Sequence, residues 1–387
     1  MTSEPNATIL SGVPGSFPWR VFHERHPELV RRVLAAVPYG PRERAAVERL
    51  LAESTGGGAL EPLPADAHDH ARWRAWGGER WYGRPWGEVP FLWAESYFYR
   101  RLLEATGYFR PGAWQGVDPF GPVKAAELAG PEVAEELAAL DGLKGLPPQR
   151  WRSAALRSAL WGNRADLSFQ LTTALQDAHG LLVDDSELLW SAVERTGHPR
   201  ICYVADNAGR ELLPDLVLID HLLDRACQVV LHVKPYPYYV SDATVRDVVA
   251  AVNRLREEGT SAARRIGERL RSALADESLV LRSHPFLSAP LPFAELPDEL
   301  RAEFAAAHLT IVKGDLNYRR LVGDRRWDPT TPFAERVAHF PGPVAALRTL
   351  KSEVVVGLTA RTVAELDATG RDWRVSGTYG LIQVAAG

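Results

Sequence analysis

The chain of 387 residues is long enough for two domains or one large one, and its 46% hydrophobic content allows a sizeable core. Its 45 Lys and Arg against 49 Asp and Glu leave a formal charge of -4 with no long basic block, which argues against nucleic acid as a partner. No apolar run approaches the roughly 20 residues of a membrane span, and the opening MTSEPNATILSGVPG lacks the basic and apolar regions of a secretory signal, so the cytoplasm is the expected compartment.

The first elements are helical. HPELVRRVLAAV (26 to 37) and PRERAAVERLLAES (41 to 54) repeat apolar residues at spacings of three and four, the second opened by Pro41 as a first-turn residue. The Gly- and Pro-rich stretch 55 to 72 reads as a loop, and His68-Asp69-His70 within it as an exposed piece of that loop rather than a metal site. A long aromatic helix, FLWAESYFYRRLLEATGYF (91 to 109), is expected in the core, with Glu95, Arg100 and Arg101 available to a cleft between domains. Helical patterns continue through 122 to 142 and 150 to 180. LLVDDSELLW (181 to 190) reads as a turn and helix cap: Asp184 and Asp185 are adjacent, whereas haloacid-dehalogenase chemistry wants two aspartates separated by one residue.

From about residue 200 short apolar runs alternate with helical ones: ICYVA, 210 to 225, CQVVLHV, 242 to 258, SLVLR (278 to 282), DELRAEFAAA (298 to 307), LTIVKG (309 to 314) and EVVVGL (353 to 358). Strands alternating with helices predict a parallel sheet with crossover helices on its faces. The expectation is an α/β protein: a Rossmann-like three-layer α/β/α domain over 181 to 387, preceded by a mainly helical bundle domain over 1 to 180. HPFLSAPLPFAELP (284 to 297) reads as a rigid surface connection, and Cys202 and Cys227, both in apolar runs, as small buried hydrophobes.

In open α/β sheets ligands bind beyond the carboxyl ends of the strands, which singles out four places. Asp206-Asn207 follow ICYVA, Ser241-Asp242 follow LHVKPYPYYV, Lys313 to Arg319 follow LTIV, and Arg348-Thr349-Leu350-Lys351 precede EVVVGL. Asp206, Asn207 and Asp242 are hard oxygen donors suited to Mg²⁺ or Mn²⁺, while Lys313, Arg319 and Lys351 bring cations to the same edge. Together they suggest phosphoryl transfer to water. The plainer reading stands beside this one: Asp-Asn-Ala-Gly and Asp242 would also serve as caps of the helices that follow them. There is no Walker loop and no GxGxxG.

VADNAGRELLPDLVLIDHLL, HVKPYPYYVSD, VKGDLNYRRL and LRTLK resemble the metal-dependent damage-control phosphatases of the acidic-residue-methyltransferase-like group, the subfamily with an RTxK signature. LWGNRADLS (160 to 168), FLWAESYFYRRL and SFPWRVFHERHPELVRRVL are similar to that family as well, so the resemblance covers nearly the whole chain. It implies a helical bundle joined to a Rossmann-like domain, and one divalent cation, Mg²⁺ or Mn²⁺ with Co²⁺ or Ni²⁺ as further choices, on Asp206, Asn207 and Asp242. Asp315, Leu316, Asn317, Tyr318, Arg319 and Lys351 would contact the sugar phosphate, with Lys313, Arg348 and Glu211 as neighbours on the substrate side. Substrates would resemble fructose 1-phosphate and fructose 6-phosphate, and the role would be removal of damaged or surplus phosphometabolites. Arg210 stands where an apolar residue is expected, which would alter contacts near the metal.

The expected activity is therefore a metal-dependent phosphatase acting on a small phosphorylated metabolite. Asp206, Asn207, Asp242 and Lys351 would carry the chemistry, with a metal-activated water favoured over a carboxylate nucleophile. The rivals are a carboxyl methyltransferase using S-adenosylmethionine, and a scaffold turned to a specialised biosynthetic step or to binding alone.

Overall fold

A computed structural model describes residues 6–143, 145, 147–162, 180–194, 199–225, 228–257 and 261–386. Seven strands form one sheet: β1 Leu181–Asp184, β2 Arg200–Val204, β3 Gln228–Val233, β4 Leu279–Ser283, β5 Leu309–Lys313, β6 Val344–Thr349 and β7 Gly380–Ala385. Their order is β1-β7-β6-β5-β2-β3-β4, parallel at every pairing except the antiparallel β6 and β7. From β2 the chain winds outward to β3 and β4, then returns past β2 to lay down β5 and β6. The carboxyl ends of β2 and β5 therefore flank the point where the winding reverses, the place where such sheets open a crevice.

Alternation along the central strands makes three layers. Cys202 and Val204 of β2 enter one apolar cluster, while Ile201 and Tyr203 enter the other. The first cluster is continuous with the N-terminal helices, from Val30 and Leu50 to the aromatic helix Phe91–Ala105. The second is closed by the helices Pro148–Trp161, Leu212–Leu223, Val245–Glu257 and Ser261–Ala275. Cys202 is buried as expected, which pushes its thiol up to about 12. Cys227 and most of the segment 162 to 180 lie outside the described residues.

Several expectations give way to tertiary contacts. His68-Asp69-His70 is not simply an exposed loop: Asp69 is 2% exposed and receives a bidentate pair from the buried Arg100, at 2.6 and 2.8 Å. Pro285–Ser288 and its neighbours are not a surface connection, because Phe286, Leu287 and Ala289 are buried and Arg320 spends its guanidinium on the carbonyls of Phe286, Leu287 and Leu291. Leu181–Asp184 forms an edge strand against β7, and only the Asp184 carboxylate, accepting from the Ser186 amide, keeps the capping role.

The largest correction concerns EVVVGL, which is buried but is not a strand; the strand is the preceding Val344–Thr349. Side chains satisfy backbone groups of Val354 and Val356 where a ladder otherwise would. Arg348 donates to the Val354 carbonyl, Gln383 Nε2 to the Val356 carbonyl at 2.8 Å, and the Val356 amide to the Tyr318 hydroxyl at 3.3 Å. Tyr318 in turn donates to Gln383 Oε1 at 3.0 Å. Arg348 consequently sits in the last residues of a strand and Lys351 follows it, instead of both preceding one, which carries them to the carboxyl edge. Tyr318→Phe should leave two buried polar groups unpaired and destabilise the chain by about 1–3 kcal/mol, read from the denaturant midpoint at unchanged slope.

Candidate active site

The loops after β2 and β3 are zipped together by their backbones. The Ala243 amide donates to the Asp206 carbonyl at 3.0 Å, the Ala208 amide to the Ser241 carbonyl at 2.6 Å, and Asn207 pairs with Asp242 in an isolated antiparallel bridge. This places Asp206, Asn207 and Asp242 side by side at the switch point. Neither cap reading holds. The turn Gly209–Glu211 has no side-chain cap, and ahead of the helix Val245–Glu257 it is Asp247 that takes the Thr244 amide, at 2.9 Å. The Asp242 carboxylate instead accepts the Tyr239 amide at 2.9 Å.

Asp206 is 8% exposed, and among the described residues no donor hydrogen-bonds its carboxylate. Burial pushes that carboxyl up to about 7, helped by the charges of Glu211 and Asp242 and opposed by Lys351 and Lys313. β5 approaches it directly. Gly314 has φ +94, and a Cβ there would lie 2.0 Å from the Asp206 carboxyl carbon. Asn317, fully buried, ties the two strand ends by donating from Nδ2 to the Ala205 carbonyl at 3.0 Å and the Lys313 carbonyl at 2.8 Å.

The remaining residues singled out in the sequence divide by exposure. Lys351 is the open cation, its side chain 45% exposed with Nζ 3.8 Å from Glu211 Oε1, and Glu211 Oε2 accepts from Asn207 Nδ2 at 2.8 Å. Asp315, on the first turn of Asp315–Val322, accepts from Arg348 Nε at 2.9 Å, Ser352 Oγ at 3.0 Å and the Lys351 amide at 3.3 Å. Burial works against its charge, but Arg348 and Arg319 outweigh burial and hold its carboxyl below the ordinary value. Lys313 is buried on Asp215 at 3.0 Å; burial disfavours its ammonium, and Asp215, Glu211 and Asp206 more than restore it. Arg319 is committed to Asp324 at 2.7 Å and Glu95 at 3.4 Å. Leu316 packs in the core, and Tyr318 and Asn317 are enclosed, so the structure does not bring these three to the open edge.

Residues 21–366 match the damage-control phosphatase ARMT1-like domain. Damage-control phosphatase ARMT1 of Xenopus laevis is 29% identical over 444 residues, covering 99% of this chain and 99% of that protein. The mouse protein of the same name is 32% identical over 338 residues, covering 79% of this chain and 75% of its own. A solved structure of a DUF89-family protein from Pyrococcus horikoshii shares the fold, with TM-score 0.53 and 17% identity over 94% of this chain and 97% of that one. The chain belongs to the damage-control phosphatase ARMT1-like family. Membership makes it a phosphatase by class.

Three groups at this family member's site are not apparent from the strand-end motifs. Lys124, from the helix Gly121–Ala129, donates to the Asp242 carbonyl at 2.9 Å and is held by Asp118 and Asp247, so an N-terminal helix pins the Asp242 loop. Asp215, one turn into the helix behind Asp206, is the counter-charge of Lys313. Glu95 meets the Tyr239 hydroxyl and Arg319, each at 3.4 Å, and burial, against the pull of Arg319, lifts its carboxyl to about 7. Arg210 turns away to Glu136 on the helix Pro131–Ala139. Gly314→Ala should displace Asp206 or prevent β5 from closing, and we expect a loss of more than about 2 kcal/mol of stability by chemical denaturation.

Proposed function

We propose that this phosphatase releases inorganic phosphate from small phosphorylated metabolites, sugar phosphates such as fructose 1-phosphate and fructose 6-phosphate among them, with one divalent cation held by Asp206, Asn207 and Asp242. The observation that carries the reading is the buried Asp206 carboxylate, which no donor satisfies among the described residues and which lies beside Asn207 and Asp242. Among those residues no cluster of three or more His, Cys, Asp or Glu side chains is arranged for a metal; the proposed set has two carboxylates and completes itself with a carboxamide oxygen. Such donors suit Mg²⁺ or Mn²⁺, with Co²⁺ and Ni²⁺ compatible, and disfavour Zn²⁺. When bound, the cation supplies polarisation of phosphoryl oxygens and acidification of a water.

The chain's own groups do the rest. Lys351 is half-exposed at the mouth and donates to the phosphoryl group, stabilising charge as it spreads over the equatorial oxygens. Lys313 lends positive potential from below through its buried pair with Asp215. Asp315, oriented by Arg348 and Ser352, keeps acceptor capacity for a substrate hydroxyl. No helix among the described residues is long and apolar enough to cross a membrane.

A phosphate-release screen over sugar phosphates with Mg²⁺, Mn²⁺, Co²⁺ and Ni²⁺ tests the proposal. Release should need the metal and fall to the chelated background in Asp206→Ala, and a phospho-aspartate trapped at Asp206 or Asp242 would replace water as the nucleophile. Release unaffected by EDTA would sink the metal assignment, and methyl transfer from labelled S-adenosylmethionine without phosphate release would sink the phosphatase itself. Lys351→Met should lower kcat by about 10²–10³-fold if its donor acts mainly in the transition state.

A further inference from the structure

Lys234 and Arg320 reach one carbonyl from the two strands that flank β2. Lys234 directly follows β3, and Arg320 lies on the helix Asp315–Val322 after β5; Lys234 Nζ donates to the Leu287 carbonyl at 3.0 Å and Arg320 Nη1 to the same oxygen at 3.1 Å. Lys234 is 2% exposed and Arg320 is wholly buried. Among the described residues no carboxylate pairs with either, whereas Lys313, Arg319 and Arg348 each hold one. Arg320 has structural work, since its other donors take the carbonyls of Phe286 and Leu291 and its plane lies over the rings of Phe286 and Phe293. Lys234 adds only a second donor to a carbonyl already taken, beside the Tyr238 ring at 5.8 Å. Burying an ammonium without a carboxylate is costly, and a second cation on the same oxygen adds to the cost. The carboxylates whose charges reach Lys234 are Asp242 and Asp206, and Asp242 is the one that reaches Arg320. The backbone holds Lys234 to that loop, its amide donating to the Ala243 carbonyl at 2.9 Å.

We infer that Lys234, backed by Arg320, is a buried counter-charge to the Asp206 and Asp242 carboxylates, and that it sets the balance between cation and phosphate binding without touching either ligand. Its field opposes a divalent cation and favours a phosphate dianion. The site therefore holds the metal less tightly than two uncompensated carboxylates would, and holds the anion more tightly. This rests on the metal-dependent phosphatase reading above, and adds to it a charge on the sheet face whose apolar cluster includes Tyr238, Phe286 and Leu287.

Calorimetric titration of the full chain with Mn²⁺, and of the Mn²⁺-saturated chain with inorganic phosphate, reads both sides of that balance. Lys234→Met keeps the bulk of the side chain, and Arg320 still serves the Leu287 carbonyl, so the fold should hold. The variant should bind Mn²⁺ about fivefold more tightly than the unmodified chain and phosphate about fivefold more weakly. Lys234→Gln, which retains a donor for Leu287, should shift both affinities in the same directions as Lys234→Met. Arg320→Lys keeps the charge and gives up carbonyl bonds; it should unfold at a lower denaturant concentration and leave both affinities within about twofold. Opposite shifts for the two ligands on loss of the Lys234 charge, with neither shift in Arg320→Lys, support the inference. Unchanged affinities in the Lys234 variants overturn it, as does weakening of both ligands together, which marks lost packing, or an equal pair of shifts in Arg320→Lys. An unmodified chain that takes up no Mn²⁺ removes the metal reading itself, whereas Mn²⁺ uptake that is indifferent to Lys234 leaves that reading standing and removes this inference alone.

Discussion

The Asp206 carboxylate lies in the interior, against the backbone of β5, because residue 314 has no side chain. A buried carboxylate without a partner is costly, several kcal/mol even after relaxation, and a chain of this length has no need of one for packing. The neighbouring construction keeps that charge in place. Asn317 staples the end of β2 to the end of β5, the Ala243 amide fixes the Asp206 carbonyl, and Lys313 with Asp215 sets a closed ion pair beneath it. The result is a floor that carries a carboxylate with no hydrogen-bond donor among the described residues.

The N-terminal helices take part in this floor. Lys124 reaches from the helix Gly121–Ala129 to the Asp242 carbonyl, and Glu95 reaches from the aromatic helix to Tyr239 and Arg319. Both contacts cross from the first third of the chain to the loops of the sheet. The aromatic helix also shares an apolar cluster with the sheet face that bears Cys202, Val204 and Val312. The site is thus walled by packing that must be complete before the loop bearing Asp242 is held.

Much of this was legible in the residues. The switch from spacings of three and four to short apolar runs near residue 200 announced the sheet, and the polar residues after ICYVA, LHVKPYPYYV and LTIV marked its carboxyl edge. The misreadings share one cause: a hydrophobic run reports burial and not hydrogen bonding. Val354, Val355 and Val356 are as buried as any strand, but Tyr318, Gln383 and Arg348 take backbone groups of Val354 and Val356. VAALRT, poor in β-branched residues, forms the strand because β5 and β7 pair with it on either side. Asp69 was equally opaque, since its partner Arg100 lies 31 positions away.

By itself, the sequence determined the layer architecture, three of the four strand-end motifs and the donor chemistry of Asp206, Asn207 and Asp242, because periodicity and residue type are local properties. Only the tertiary structure decided which cations remain open. Lys313, Arg319 and Arg348 are alike on paper as phosphate donors, yet each is consumed by a carboxylate far from it in sequence or folded onto it by a turn, leaving Lys351 exposed beside Glu211. Charge is written in the sequence; whether a charge is already paired depends on what the fold brings within about 4 Å of it.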